Sequence, residues 1–297
     1  MFDPLANIVS LLKPVPSIAK LVTAGGAWLV ERSELSGPFY CAVVEGFCLL
    51  TVEGRSPITL EPGDFILVPQ IHAFTMSSLR QPPPGTLPRR LETSPGVFRL
   101  GDLDAPVEVT AMVGHCSFLA NDTQLLSSLM PDIVHARGER RLMDLVGMIH
   151  AEMVGCLAAR DMILSRLLEV LFIDALRSAG GAQTSPGLLR GLSDPRLAPA
   201  LRRIHHDPSG SVTVEVLAKT SAMSRSAFFE RFRREVGIPP MEYVTGWRMA
   251  LAKDLLLRRE TPLVEIASRV GYSSVSAFSV AFTRHAGIPP GVFARTR

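Results

Sequence analysis

The spacing of apolar residues changes character along this 297-residue chain. From residue 20 to about 120, hydrophobic side chains come in short, β-branched-rich runs broken by turn residues. FYCAVVEGFCLLTVEG carries Glu45-Gly46 at its middle and ITLEPGDFILVPQIHAF carries Pro62-Gly63-Asp64; GVFRLGD and PVEVTAMVGHCSFLA follow. Such runs predict strands of a small β-barrel or sandwich. Alternate side chains of a strand face opposite sides, and Gly/Pro turns let the chain reverse between strands. SLRQPPPGTLPRR interrupts them as a proline-rich loop.

Between Gly138 and Ala179 the period lengthens. Leu142, Leu145, Val146, Ile149, Met153 and Leu157, then Ile163, Leu164, Leu167, Leu168 and Leu171, follow helical spacing, with a break near Ala158-Ala159-Arg160. Leu167, Val170, Leu171, Asp174 and Ala175 would form a flat stripe, suited to a partner helix in a second copy or to packing on the strands. Charged residues recur throughout Met143–Leu176, so no segment reaches the roughly 18 apolar residues of a membrane span. SAGGAQTSPGLLRGL reads as a linker. Everything after it reads as helices and tight turns.

One pattern occurs twice in that last part. SAFFERFRREVGIPP and SAFSVAFTRHAGIPP align at an offset of 50 residues, which sets Phe228 on Phe278, Phe232 on Phe282 and Gly237-Ile238-Pro239-Pro240 on Gly287-Ile288-Pro289-Pro290. Continued upstream without a gap, it sets Val216 on Ile266 and Ser221 on Gly271. Each copy has the anatomy of a helix-turn-helix. Thr213 and Ser224 are N-caps in the first copy; Thr261, followed by Pro262, and Ser273 or Ser274 are N-caps in the second. The phenylalanines, four apart, put both rings on one core face. The glycine and double proline end each second helix. Between the copies, MEYVTGWRMALAKDLLLRR predicts a helix of about 18 residues, about 27 Å long. That length suits two recognition helices about one turn of B-DNA apart, about 34 Å.

Charge agrees. The chain is only +3 overall, but from Asp194 onward 16 Lys and Arg face 9 Asp and Glu, while the remainder holds 15 against 19. A basic domain on an acidic body is the footprint of a nucleic-acid binder. The N-terminus, with an acid at position 3 and prolines in its apolar part, is no secretory signal, so a soluble cytoplasmic protein without a membrane anchor is expected. GxSxG, HExxH, GxxxxGK and GxGxxG do not occur. The chain therefore reads as a non-enzyme without a cofactor.

The segments LAKTSAMSRSAFFERFRREVGIPPMEYV, RMALAKDLLL and IASRVGYSSVSAFSVAFTRHAGIPPGVF resemble the AraC family of bacterial transcription regulators. FYCAVVEGFCLL and LEPGDFILVPQIHAF are similar to the regulatory cupin that precedes the DNA-binding part in one subgroup. The resemblance implies an α+β chain. It would comprise a cupin-like β-barrel sensor over 1–130, a helical dimerisation segment over 131–180 and an all-α double helix-turn-helix domain over 194–297. It also implies that the chain activates transcription. The expected partners are a double-stranded DNA operator, a second copy, RNA polymerase and a small-molecule or redox effector.

The family's groove-facing positions fall on Ser226, Phe229 and Glu230. Glu can accept from cytosine, Ser pairs with several bases and Phe can touch a thymine methyl. Ser224 starts this helix, while Arg225, Arg231, Arg233 and Arg234 suit phosphates. In the second copy the matching face carries Ser274, Val275, Ser276, Ala277, Ser279 and Val280, with Thr283 and Arg284 for the backbone. It is poor in long polar groups, which makes the two copies unequal readers.

Cupin enzymes gather His, His, Glu and His around a metal, but no HxH occurs here, so no metal site is expected. His72 matches the last ligand. Cys41, Cys48, Cys116 and His72 are effector or redox candidates; the thiols read equally as small buried hydrophobes. His115 and Cys116, adjacent on a strand, cannot both face inward. Two other readings stay open: a cupin enzyme with a localising basic tail, and a tail that binds protein.

Overall fold

The computed structural model describes residues 3–32, 37–69, 73–83, 89–118, 129–155, 157–179 and 186–295. The chain divides into two compact units. One comprises Lys13–Leu119 and Asp132–Ala179; the other comprises Met1–Leu12, Ala120–Pro131 and Gly180–Arg297. His72 and Cys156 lie outside the described residues.

The first unit holds eleven strands among its described residues: β1 Pro14–Gly25, β2 Leu29–Arg32, β3 Phe39–Glu45, β4 Cys48–Val52, β5 Ile58–Leu60, β6 Asp64–Val68, β7 Phe74–Ser77, β8 Arg90–Ser94, β9 Val97–Gly101, β10 Val109–Phe118 and β11 Val134–Arg137. They form two sheets, ordered β11-β6-β3-β10-β1-β9-β8 and β2-β7-β4-β5. The expected barrel is therefore not closed. One core nonetheless draws on both sheets, with Phe39, Cys41, Val43 and Ala111 from the larger and Cys48, Leu50, Phe74 and Met76 from the smaller. The predicted turns are in place, with Gly46 and Gly63 at positive φ.

Helices α1 Pro4–Leu12, α2 Arg140–Gly155 and α3 Arg160–Ser178 precede the double repeat. The break between α2 and α3 falls where the pattern placed it, with Ala159 left-handed at φ 63°. Of the stripe suited to a partner helix or to the strands, Leu171 and Ala175 turn inward, and Leu167 and Val170 are half-buried. Leu171 and Ala175 are fully buried because α3 packs on β1 and α2, and Asp174 is ion-paired by Arg141 and Arg177. Packing on the strands is thus the outcome. Met148, Val154, Leu157, Met162 and Ile163 are the exposed apolar residues of this hairpin.

The second unit is helical among its described residues. Within the expected linker, Leu188–Ser193 forms α4, burying Leu188 and Leu189. Then come α5 Ala198–His206, α6 Val214–Thr220, α7 Arg225–Val236, α8 Pro240–Arg258, α9 Leu263–Arg269, α10 Val275–Ala286 and α11 Pro290–Phe293. The N-terminal α1 packs here too, against α5 and α8, through its buried Leu5, Ile8, Val9 and Leu12. That spacing makes one apolar face. Among the described residues no helix is long and apolar enough to cross a membrane.

Candidate nucleic-acid interface

Each recognition helix begins at a serine that spends its hydroxyl on the backbone. Ser224 Oγ accepts from Ala227 N at 3.3 Å, and Ser274 Oγ accepts from Ala277 N at 3.1 Å. Each ends at a left-handed glycine, Gly237 at φ 90° and Gly287 at φ 76°. The cores match closely. Phe228 and Phe232 have centroids 5.6 Å apart, as do Phe278 and Phe282. A third ring meets the second phenylalanine of each pair edge-on, Tyr243 at 5.7 Å and Phe293 at 5.4 Å. Tyr243 opens α8 and Phe293 closes α11, so the repeat runs past the double proline. Within α8, 19 residues give about 28 Å.

The repeat has one gap, however. In the scaffold helices the fully buried residues are Leu217 and Ala218 in α6, and Ile266 and Ala267 in α9. These pairs stand 49 apart, whereas the recognition helices stand 50 apart. Met223 N bonds Ala218 O and Tyr272 N bonds Ala267 O, both at 2.9 Å, so the corners too match at 49. The second turn therefore holds one more residue, Ser273. Val216 does not face Ile266, nor Ser221 Gly271, because burial and the corner hydrogen bond set the register. The second scaffold helix also starts one residue later than expected. Its N-cap is Pro262 and not Thr261, and no side chain caps it.

Residues 217–296 match the helix-turn-helix domain family and residues 3–179 match the cupin family. Over 278 residues, 89% of each chain, the protein is 34% identical to an AraC-like transcription regulator of Streptomyces antibioticus and 35% identical to one of Streptomyces lividans. The chain belongs to the AraC-like transcription regulators. It is also 27% identical, over 89% of its length and 87% of the relative's, to the RCS-specific transcriptional activator RclR of Escherichia coli K12.

In this AraC-like regulator, Ser224, Arg225, Ser226, Glu230, Arg233 and Arg234 are exposed and Phe229 is half-buried. Their availability differs. Arg225 pairs with Glu215 at 3.0 Å, and Arg234 pairs with Glu235 at 2.7 Å. Arg231, a phosphate candidate by sequence, donates from Nε to Asp194 Oδ2 at 2.6 Å and is only half-exposed, so it ties α7 to the C-cap of α4 instead. Glu230 and Arg233 make no ion pair among the described residues. Asp194 also accepts from Arg196 N and Leu197 N. Burial raises its carboxyl, but the Arg231 hydrogen bond and charge and the backbone donors outweigh that and hold it below its usual range.

The second recognition helix exposes Ser274, Ser276, Val280 and Arg284, with Val275, Ser279 and Thr283 partly covered. Val280 is 62% exposed, and the Thr283 hydroxyl is spent on Ser279 O at 2.7 Å. Outside the helices, Arg248 braces the unit by donating to Pro208 O at 2.8 Å and Gly210 O at 3.0 Å. His205, at the end of α5, is buried. It shares a 2.6 Å hydrogen bond with the Tyr243 hydroxyl and stacks on Trp247 at 4.0 Å. Burial pushes its pKa down to about 3.

Among the described N-terminal candidates, Cys41 and Cys48 share one core cluster near Asp64, and Cys116 lies outside that cluster. Cys41, Cys48 and Cys116 are free and buried. Burial, then Asp64, pushes the Cys48 thiol up to about 12; burial likewise pushes Cys41 and Cys116 up, so all three stay protonated. Among the described residues no three His, Cys, Asp or Glu side chains gather as metal ligands. Strand alternation separates the adjacent pair: His115 faces a cavity that Cys48 also lines, whereas Cys116 packs on the other face beside Tyr40. Sequence reasoning missed three basic residues on that cavity, Lys20, Arg32 and Arg90. A lysine in register with Val22 and Ala24 was the available signal.

Proposed function

We propose that this regulator activates transcription from an operator it reads asymmetrically, under control of a signal received by its N-terminal domain. What carries the reading is the pair of exposed recognition helices on matched phenylalanine cores, only the first of which presents a carboxylate, Glu230, free of any ion pair among the described residues. Ser226, Phe229 and Glu230 read bases in one major groove, and Arg233 holds a phosphate. Ser224, Arg225 and Arg234 flank them, the arginines giving up exposed pairs worth little in water. Val275, Ser276, Ser279 and Val280 contact methyls and shape in the next groove, with Ser274, Thr283 and Arg284 at the backbone. Activation follows the family resemblance and the name of the Escherichia coli relative, and implies contact with RNA polymerase. A second copy joins through the apolar residues exposed on α2 and α3, such as Met148 and Met162. The thioether and aliphatic groups there have no cover of their own.

Mapping the intact protein on its own genome, followed by anisotropy titration of the recovered duplexes, tests this. Affinity should fall steeply with salt, as counterion release requires. Absence of salt-dependent affinity for every recovered duplex would refute the reading. Light scattering on the free chain tests the second copy.

A further inference from the structure

Between the two sheets of the N-terminal unit lies a cavity of about 80 Å³. A buried water needs about 10–15 Å³ of such space, so about six water-sized groups fit. The walls are largely apolar, with Trp28, Phe39 and Phe98 among them, yet Lys20, Arg32, Arg90 and His115 also line it. Strand geometry puts them there. Lys20 shares a face of β1 with Val22 and Ala24, and it pairs across the ladder with Val113, two residues from His115 on β10.

These bases are unusually short of partners. Lys20 is 7% exposed, and neither it nor Arg32 nor Arg90 makes an ion pair among the described residues. The Lys20 ammonium and the Arg90 guanidinium lie 4.9 and 4.3 Å from the centroid of the same ring, Phe98. His115 Nδ1 and Trp28 Nε1 are buried without a hydrogen-bond partner. The carboxylate that acts on Lys20 is Glu92, which accepts from Gly96 N at 3.2 Å. Burial, then Arg90 and Arg32, pushes Lys20 down to about 8; burial, then Arg32 and Lys20, pushes His115 down to about 4. An anion set among these groups would relieve their mutual repulsion and supply the missing acceptor.

We propose that the cavity binds a small carboxylate. Its apolar ring or branched chain of about six carbons lies against Trp28, Phe39 and Phe98, and its charge sits among Lys20, Arg32, Arg90 and His115. This rests on the reading of the N-terminal domain as the receiver of the signal. A sugar does not suit the space, because the walls offer too few polar groups to satisfy a ring of hydroxyls.

Calorimetry on the full chain, with benzoate, benzyl alcohol and inorganic phosphate as probes, tests it. Benzoate should bind one per chain, with benzyl alcohol at least about tenfold weaker and phosphate silent. Arg32→Gln and Arg90→Gln, both outside the core, should each weaken benzoate about tenfold with an unchanged melting temperature. Benzoate binding in a chain without duplex affinity would support the cavity and sink the regulator reading. No benzoate binding at millimolar concentration, in a chain that still binds its duplex, would overturn the cavity alone. Equal affinity for benzyl alcohol or phosphate would overturn it too.

Discussion

Ala222 and Gly271 stand at the same corner of the two repeats, both left-handed, at φ 49° and 80°. Only one of them is a glycine. An alanine there costs about 1–2 kcal/mol in backbone strain, less the entropy a glycine would lose. Ala222→Gly should therefore stabilise the chain by about 0.5 kcal/mol. Gly271→Ala should cost about 2 kcal/mol, since a Cβ would also meet Arg248 at 2.6 Å and Pro208 O at 2.8 Å. Urea midpoints check both. Equal effects of one sign would mean that the corners are not equivalent.

The Asp194–Arg231 pair fastens the first repeat. Asp194→Ala should cost about 2 kcal/mol, because it removes the ion pair and two backbone acceptor contacts; Asp194→Asn should cost less, since it keeps an acceptor. The folded carboxyl titrates below its unfolded value. Its contribution is therefore complete above the unfolded value and is lost as pH falls through the folded one. The wild type and Asp194→Ala should converge in stability toward acid. A difference that grows instead would contradict the assignment.

His205 works in a higher pH window. Its folded pKa, about 3, lies below the ordinary 6.5. The unfolded chain thus takes up the proton first, and stability falls as pH drops from 6.5 toward 3. From pH 7 to pH 5 the loss should be about 2 kcal/mol. Trp247, stacked on the imidazole, reports it by fluorescence in a Trp28→Phe background. His205→Gln should flatten the profile; an unchanged slope would place the effect elsewhere.

Glu230 and Arg233 differ in kind. Glu230→Ala should change base preference at one operator position, by about 1–3 kcal/mol between bases. Arg233→Ala should weaken all duplexes alike and reduce the salt slope by about one. Competition titrations on operator variants separate the two. Identical behaviour would mean that the roles were assigned wrongly.

Much of this was legible in the residues. The phenylalanine pairs, serine caps and glycine stops announce themselves because local backbone needs dictate them. The gap at Ser273 was not, since the motif letters align without it and the slip shows in the burial of Leu217 and Ile266 and in the corner hydrogen bonds. The role of Arg231 was hidden for a similar reason. Its partner, Asp194, lies 37 residues away, and the sequence does not say which of four neighbouring arginines it takes. Strand alternation foretold that His115 and Cys116 would part, but not that Lys20, Arg32 and Arg90 would meet. That takes three strands from two sheets.

The additional residue at Ser273 also governs how the two halves can be recombined. A recognition helix moved from one repeat into the other keeps its rings on the host scaffold if the junction falls at Ser224 and Ser274, beyond the corner. A cut made upstream at a uniform spacing of 50 imports a corner one residue too long or too short. The grafted helix is then turned by about 100°, which swings its phenylalanines off the host core and its base-reading edge out of the groove.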